Sequence, residues 1–317
     1  MGKTVVMFPG QGAQVRGMGE DFYNASAKSR QCFKKAQEIR GIDLKDLIFD
    51  ENEELNKTEY TQIALYVTEM AMLAEAAENN FTYDCAIGLS LGEYSALTAC
   101  GGIEYEDGVR LVRNRGIYME NAVPAGNGTM AAVLGLAGDL VERVISECCA
   151  ENVCVANFNC PGQVVISGEK QNVLKAMDKL KQEGARRVIE LNVSGPFHSP
   201  MLKKAGEQLS DDLKNTKIKN VKLPYFANYT AEAVGINTGT DEIKELLAKQ
   251  VYSSVKFEQS IRKIIENGYD TFVEIGPGKT LTGFVKKAAK DMGTDDIKLI
   301  NIEKISDIEK IADIKNQ

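Results

Sequence analysis

Residues 85–93 read Cys85-Ala86-Ile87-Gly88-Leu89-Ser90-Leu91-Gly92-Glu93. A short apolar run, a glycine-flanked serine and a helical pattern that stops at Gly101-Gly102 spell strand, turn and helix. The two glycines permit a tight backbone turn that holds Ser90 exposed, with the N-terminus of the following helix beneath it. A chain of this length carries G-x-S-x-G by chance roughly one time in ten. The placement between strand and helix, rather than the pattern, therefore makes Ser90 a candidate nucleophile, with a structural turn serine as the plain alternative.

Working outward, Thr4 to Phe8 reads as a buried strand ending at Pro9-Gly10-Gln11-Gly12, followed by helical patterns over Asp21–Arg40 and Thr61–Asn79. From Thr129 to Asn192 the pattern changes. Strands are expected at Met130–Leu134, Val153–Asn157, Gln163–Ser167 and Arg187–Leu191, with helices at Asp139–Cys149 and Asn172–Glu183. That is the βαββαβ order of a ferredoxin-like unit. Glycine- and proline-bearing crossings flank it, at residues 124–128 and 194–196. The expectation is an α/β-hydrolase-like large domain, 1–127 plus 196–317, carrying an inserted ferredoxin-like small domain, 128–195. Later segments supply a strand at Leu223–Asn228, helices at Asp241–Gln250 and Phe257–Asn267, and a strand at Thr271–Ile275. Gly276-Pro277-Gly278 then opens a last helix, and the lysine-rich tail after Lys286 reads as solvated surface.

A serine hydroxyl needs a base to take its proton, and imidazole is the usual one near neutral pH. The chain has one histidine, His198, so any Ser–His chemistry must use it. It sits in Ser194-Gly195-Pro196-Phe197-His198-Ser199-Pro200, where two prolines limit backbone freedom. Without the serine elbow, a packing or surface histidine would be the better reading.

Composition excludes several classes. At 317 residues with 44% hydrophobic and 26% charged residues, the chain has the profile of a soluble globular protein. No apolar run reaches the roughly 18 residues of a membrane span. The first ten residues lack the apolar core of a secretion signal, so a cytoplasmic location is expected. Seven cysteines without a C-x-x-C pair read as reduced thiols, and a single histidine argues against a zinc site. A net charge of −7 speaks against nucleic-acid binding. It leaves room for a local basic patch facing an acidic partner. No G-x-G-x-x-G follows a strand, so no dinucleotide cofactor is expected.

The chain resembles malonyl-CoA:acyl-carrier-protein transacylases over about Val5 to Val285. Phe8-Pro9-Gly10-Gln11-Gly12, Thr58-Glu59-Tyr60-Thr61-Gln62, Gly88-Leu89-Ser90-Leu91-Gly92-Glu93 and Arg115-Gly116-Ile117-Tyr118-Met119 carry the resemblance. Asn157-Phe158-Asn159, Gly195-Pro196-Phe197-His198-Ser199 and Glu274-Ile275-Gly276-Pro277-Gly278 continue it in the family's order. One departure is Leu89, where many members carry histidine; an effect on packing beside the serine is expected, not on mechanism.

The resemblance implies that Ser90 is acylated, that His198 is its general base and acid, and that the N–H groups of Leu91 and Gln11 hold the oxyanion. It places the backbone carbonyl of Gln250 on the imidazole. It makes Arg115 the residue that binds the malonyl carboxylate through its fork of donors. On composition alone Arg115 reads as a helix-surface arginine beside Arg110 and Arg113. Phe197 resembles the bulky residue that leaves little room for an α-methyl branch. Asn157 and Asn159 either line the cleft or serve as structural turn residues.

The function implied is ping-pong transfer of malonyl from malonyl-CoA to the phosphopantetheine thiol of acyl carrier protein, for fatty acid synthesis, by a monomer needing neither metal nor bound cofactor. Arg186 with Arg187, and Lys286 with Lys287, are candidates for docking the acidic carrier, ordinary solvated charges being the alternative. Three rivals remain: a free-standing acyltransferase of a polyketide assembly line, a serine hydrolase or thioesterase, and a silent binding module. Simple α/β-hydrolases place histidine late in the chain, whereas here 119 residues follow His198.

Overall fold

A computed structural model describes residues 2–149 and 152–315. Its strands are β1 (Lys3–Phe8), β2 (Cys85–Gly88), β3 (Gly128–Leu134), β4 (Val153–Cys160), β5 (Gln163–Glu169), β6 (Arg187–Glu190), β7 (Tyr225–Phe226), β8 (Ala233–Val234), β9 (Val255–Lys256), β10 (Tyr269–Ile275) and β11 (Lys298–Ile302). They form two sheets, ordered β11-β10-β1-β2-β7-β8 and β6-β3-β5-β4-β9.

The first sheet is parallel except at its β7–β8 edge. Its central strand β1 is apolar from Val5 to Phe8 and buried on both faces, as a parallel strand covered by helices must be. The register Phe8↔Gly88 ends β1 and β2 at one level. The loops after them, carrying Gln11 and Ser90, therefore emerge side by side at the carboxyl edge, where open α/β sheets place their sites. The turn after β2 tolerates no side chain at either glycine. A Cβ on Gly88 would lie 1.9 Å from the Gly92 backbone, and one on Gly92 would lie 2.1 Å from the Phe8 carbonyl oxygen.

In the second sheet, β3 to β6 take the ferredoxin-like order and pair antiparallel. Helices Gly138–Cys149 and Lys170–Gln182 close one face, packing Val144, Ile145, Val173 and Leu180 over Val133, Val155 and Ile166. From the opposite face Met130 and Val165 join the main core and line the cleft beside Ser90.

The structure departs from the sequence reading in four places. The pattern over Asp21–Arg40 is two helices, Glu20–Ala25 and Ala27–Arg40, because Ser26 turns extended and its Oγ accepts the Ser29 N–H at 3.1 Å. The strand expected at Leu223–Asn228 shrinks to Tyr225–Phe226. β9, which lies outside the inserted segment, pairs parallel with β4 and extends the small sheet. The tail is not all solvated surface: β11 adds to the outer edge of β10 and buries Ile300 and Ile302.

Candidate active site

Ser90 sits at the bend between β2 and the helix Gly92–Ala99 with φ 53°, a left-handed conformation that costs a non-glycine residue about 1–3 kcal/mol. Two contacts hold it there. Asn228 Oδ1 accepts its N–H at 2.7 Å, and its carbonyl accepts from Gln250 Nε2 at 2.7 Å. Asn228 Nδ2 also donates to the Gly88 carbonyl at 2.7 Å, so one amide clasps both sides of the turn.

His198 lies 108 residues away in sequence, also left-handed at φ 56°, with Nε2 2.7 Å from Ser90 Oγ. Its Nδ1 is 2.8 Å from the Gln250 carbonyl. A carbonyl only accepts, so Nδ1 carries the proton and the Nε2 lone pair faces the serine. Burial, with the Arg115 charge adding to it, pushes the imidazole down to about 3. His198 is therefore neutral and competent as a base across the physiological range.

Arg115 is not on the helix surface. It projects from the inner face of helix Tyr105–Glu120 and is 1% exposed. One terminal nitrogen donates to Gln62 Oε1 at 2.6 Å; the other donates to Gln250 Oε1 at 2.9 Å and to Ser90 Oγ at 3.0 Å. Its guanidinium also lies 5.5 Å from the Tyr94 ring centre. All three acceptors are neutral oxygens, an unusual shell for a buried cation. Of its neighbours, Arg110 is exposed as the surface reading expected and pairs with Asp107 at 3.0 Å, whereas Arg113 is mostly buried, lies over the Tyr60 ring and pairs with Glu59 at 2.8 Å.

A cleft of about 280 Å³ opens over this cluster, between the first sheet's carboxyl edge and the second sheet's inner face. Gln11, Leu89, Ser90, Asn157, Asn159, Phe197 and His198 line it. No hydrogen bond within the described residues occupies the N–H of Gln11 or of Leu91. Gln11 Nε2 ties its loop to Thr58 Oγ1 at 3.0 Å. Asn157 and Asn159 are buried in β4 rather than in a turn, and Asn159 Oδ1 has no partner among the described residues. Among the described residues, no three His, Cys, Asp or Glu side chains are grouped to hold a metal ion, and no helix is long and apolar enough to cross a membrane.

Sequence reasoning missed four contributors. Gln62 and Glu93 stood inside the quoted strings without a role, and Gln250 was assigned only its carbonyl. Asn228 had no local signal at all, since its contacts with Ser90 and Gly88 span 138 and 140 residues.

The arrangement can activate a serine, neutralise a tetrahedral oxyanion and hold a carboxylate beside the nucleophile. Comparisons with known proteins agree with it. A model of the acyl transferase domain matches residues 5–310. The malonyl CoA-acyl carrier protein transacylase of Bacillus subtilis (strain 168) is 44% identical over 297 residues, 93% of each chain. The crystal structure of the transacylase of that name from Clostridium perfringens is 42% identical, with a TM-score of 0.92 over 98% of this chain and 96% of that one. A malonyl-transacylase solved with its type II PKS acyl-carrier protein is 34% identical, with a TM-score of 0.93 over 99% and 100% of the two chains.

Proposed function

Because the chain belongs to the acyl transferase domain family and, within it, to the malonyl CoA-acyl carrier protein transacylases, we propose that it moves malonyl from coenzyme A to the thiol of acyl carrier protein through a malonyl-Ser90 ester. Ser90 Oγ attacks the thioester carbonyl while His198 Nε2 takes its proton. The N–H groups of Leu91 and Gln11 meet the developing oxyanion at the start of helix Gly92–Ala99, where the backbone dipole also favours negative charge. His198 returns the proton to the departing coenzyme A sulfur. The carrier thiol then repeats the sequence in reverse, with no metal or bound cofactor taking part.

The observation that carries this reading is the buried guanidinium of Arg115, 3.0 Å from the nucleophile and surrounded by neutral oxygens. Substrate is the carboxylate its shell lacks, and a bidentate pair there fixes the acyl group beside Ser90. A serine hydrolase acting on neutral esters has no use for such a group. Phe197 lines the cleft beside His198 and leaves little room for branched units, and Asn159 lines it from β4 with its buried Oδ1 unpartnered among the described residues.

Carrier docking fits the basic residues at the cleft mouth. Lys286 and Lys287 are exposed on the helix Thr280–Asp291, whose Thr280, Leu281 and Phe284 line the cleft. Lys287 Nζ reaches Gln163 Oε1 at 3.1 Å, and Gln163, Leu134 and Arg187 form one cross-strand row. The pathway we assign is cytoplasmic fatty acid synthesis; the relative solved with a type II PKS carrier supports the same chemistry on a polyketide carrier.

The test is intact mass after brief incubation with malonyl-CoA, followed by peptide mapping. A malonyl adduct on Ser90, absent in Ser90→Ala, is expected. An adduct that persists in that variant, or none in the unaltered protein, overturns the reading.

A further inference from the structure

Behind the dyad lies a buried carboxylate that the transfer chemistry above does not use. Glu93 follows the elbow on the first turn of helix Gly92–Ala99 and is fully buried. Its Oε2 accepts the Asn228 N–H at 3.1 Å and Gln250 Nε2 at 2.8 Å. Its Oε1 is buried without a partner among the described residues. The two acceptors on the Nε2 side of Gln250, Glu93 and the Ser90 carbonyl, leave the amide one orientation. Gln250 Oε1 must then face Arg115. A single amide thus separates the buried cation from the carboxylate.

We propose that Glu93 is a positioning residue and the internal counter-charge of Arg115, so that its proton is linked to binding of the substrate carboxylate. This rests on the malonyl-transfer reading above. Arg115 touches only neutral oxygens and so remains free to take an incoming carboxylate. Glu93 balances its charge from one amide further away. Entry of a second anion on Arg115 makes the ionised form of Glu93 less favourable, and the partnerless Oε1 is the atom that takes the proton. By linkage, protonating Glu93 strengthens carboxylate binding by the same factor.

The surroundings of Glu93 favour a midpoint in the working range. Burial outweighs its two hydrogen bonds and the Arg115 charge from the neighbouring helix, which pull it down, and leaves it raised to about 7. The other titratable groups facing it are Tyr94 on its own helix and Tyr225 from β7, and burial raises both phenols. Neither competes for the proton between pH 6 and 8.

The experiment follows Ser90 acylation by rapid quench and intact mass from pH 6 to 8, with malonyl-CoA and with acetyl-CoA, in the unaltered protein, Glu93→Gln and Glu93→Ala. In the unaltered protein the KM for malonyl-CoA should rise about fivefold from pH 6 to 8, the low end of couplings between two sites. The KM for acetyl-CoA should not follow. Glu93→Gln keeps the acceptor for Gln250 and Asn228 but has no charge to titrate, so its malonyl KM should be low and flat. Glu93→Ala loses the acceptor and should be slow with both thioesters. A Glu93→Gln profile that tracks the unaltered protein overturns the proposal, even if Glu93→Ala fails to fold. A malonyl-Ser90 adduct with such a profile leaves the transfer reading standing and removes only this one; no adduct at all removes both.

Discussion

Replacing Arg115 with alanine separates the two jobs its guanidinium performs. One is the charged pair with the malonyl carboxylate, whose loss costs about 2–5 kcal/mol when one partner of a buried charged pair is truncated. The other is the 3.0 Å contact with Ser90 Oγ, which serves any thioester and is worth about 1.5–3 kcal/mol as a hydrogen bond to a charged group. Malonyl acylation should therefore fall by about a thousandfold in kcat/KM, and acetyl acylation by about tenfold. The ratio between the two substrates should shift about a hundredfold toward acetyl.

A second signature comes from the base. Arg115 is one cause of the depressed His198 value, after burial. Removing it lets the imidazole titrate at higher pH, so the acid limb of acetyl acylation should move toward neutrality while staying below the ordinary histidine range. Arg115→Lys keeps the charge without the fork and should recover only part of the malonyl rate. The assay is single-turnover acylation with both thioesters at several pH values, on protein shown by circular dichroism to be folded. Equal losses with malonyl and acetyl would refute the carboxylate role.

Three further outcomes are expected. His198 is held near 3 in the fold against 6.5 when exposed, so the unfolded chain binds its proton first and stability drops as pH falls from about 6.5 toward 3. Denaturant titrations of the unaltered protein and His198→Ala should diverge by about 2–3 kcal/mol between pH 6.5 and 4.5, the unaltered protein losing more; parallel curves would mean the imidazole is not buried. Gly92→Ala forces a Cβ to within 2.1 Å of the Phe8 carbonyl oxygen and should destabilise the fold by about 2 kcal/mol or more. Its thermal midpoint would have to be unchanged to contradict the packing at the elbow. Reversing Lys286 and Lys287 to glutamate should raise the KM for carrier protein and weaken its salt dependence, while leaving acylation by malonyl-CoA nearly unaltered; the opposite split would move docking elsewhere.

Legibility in the sequence followed the distance over which each signal acts. The elbow at Ser90, the buried run of β1 and the ferredoxin-like alternation could be read because a turn, an apolar run and a helical period are properties of neighbouring residues. A solitary histidine made the choice of base a matter of elimination. Beyond that range the chain is silent. Arg115 looks like a surface residue beside Arg110 and Arg113, and only packing of its helix against helices Thr58–Glu78 and Gly92–Ala99 shows its guanidinium sealed beneath the nucleophile. Nothing near Asn228 announces that it clasps the turn at Ser90. Nor does anything near Val255 announce that it completes the small sheet beside Asn157. These are buried polar groups and strand edges that must find partners once water is excluded, and the partner is chosen by whichever distant segment the fold brings alongside. The sequence by itself determined which chemistry the residues can support and where the backbone must bend. Tertiary structure decided which side chains share one dry site, because desolvation makes those long-range pairings obligatory only after the sheets have closed around them.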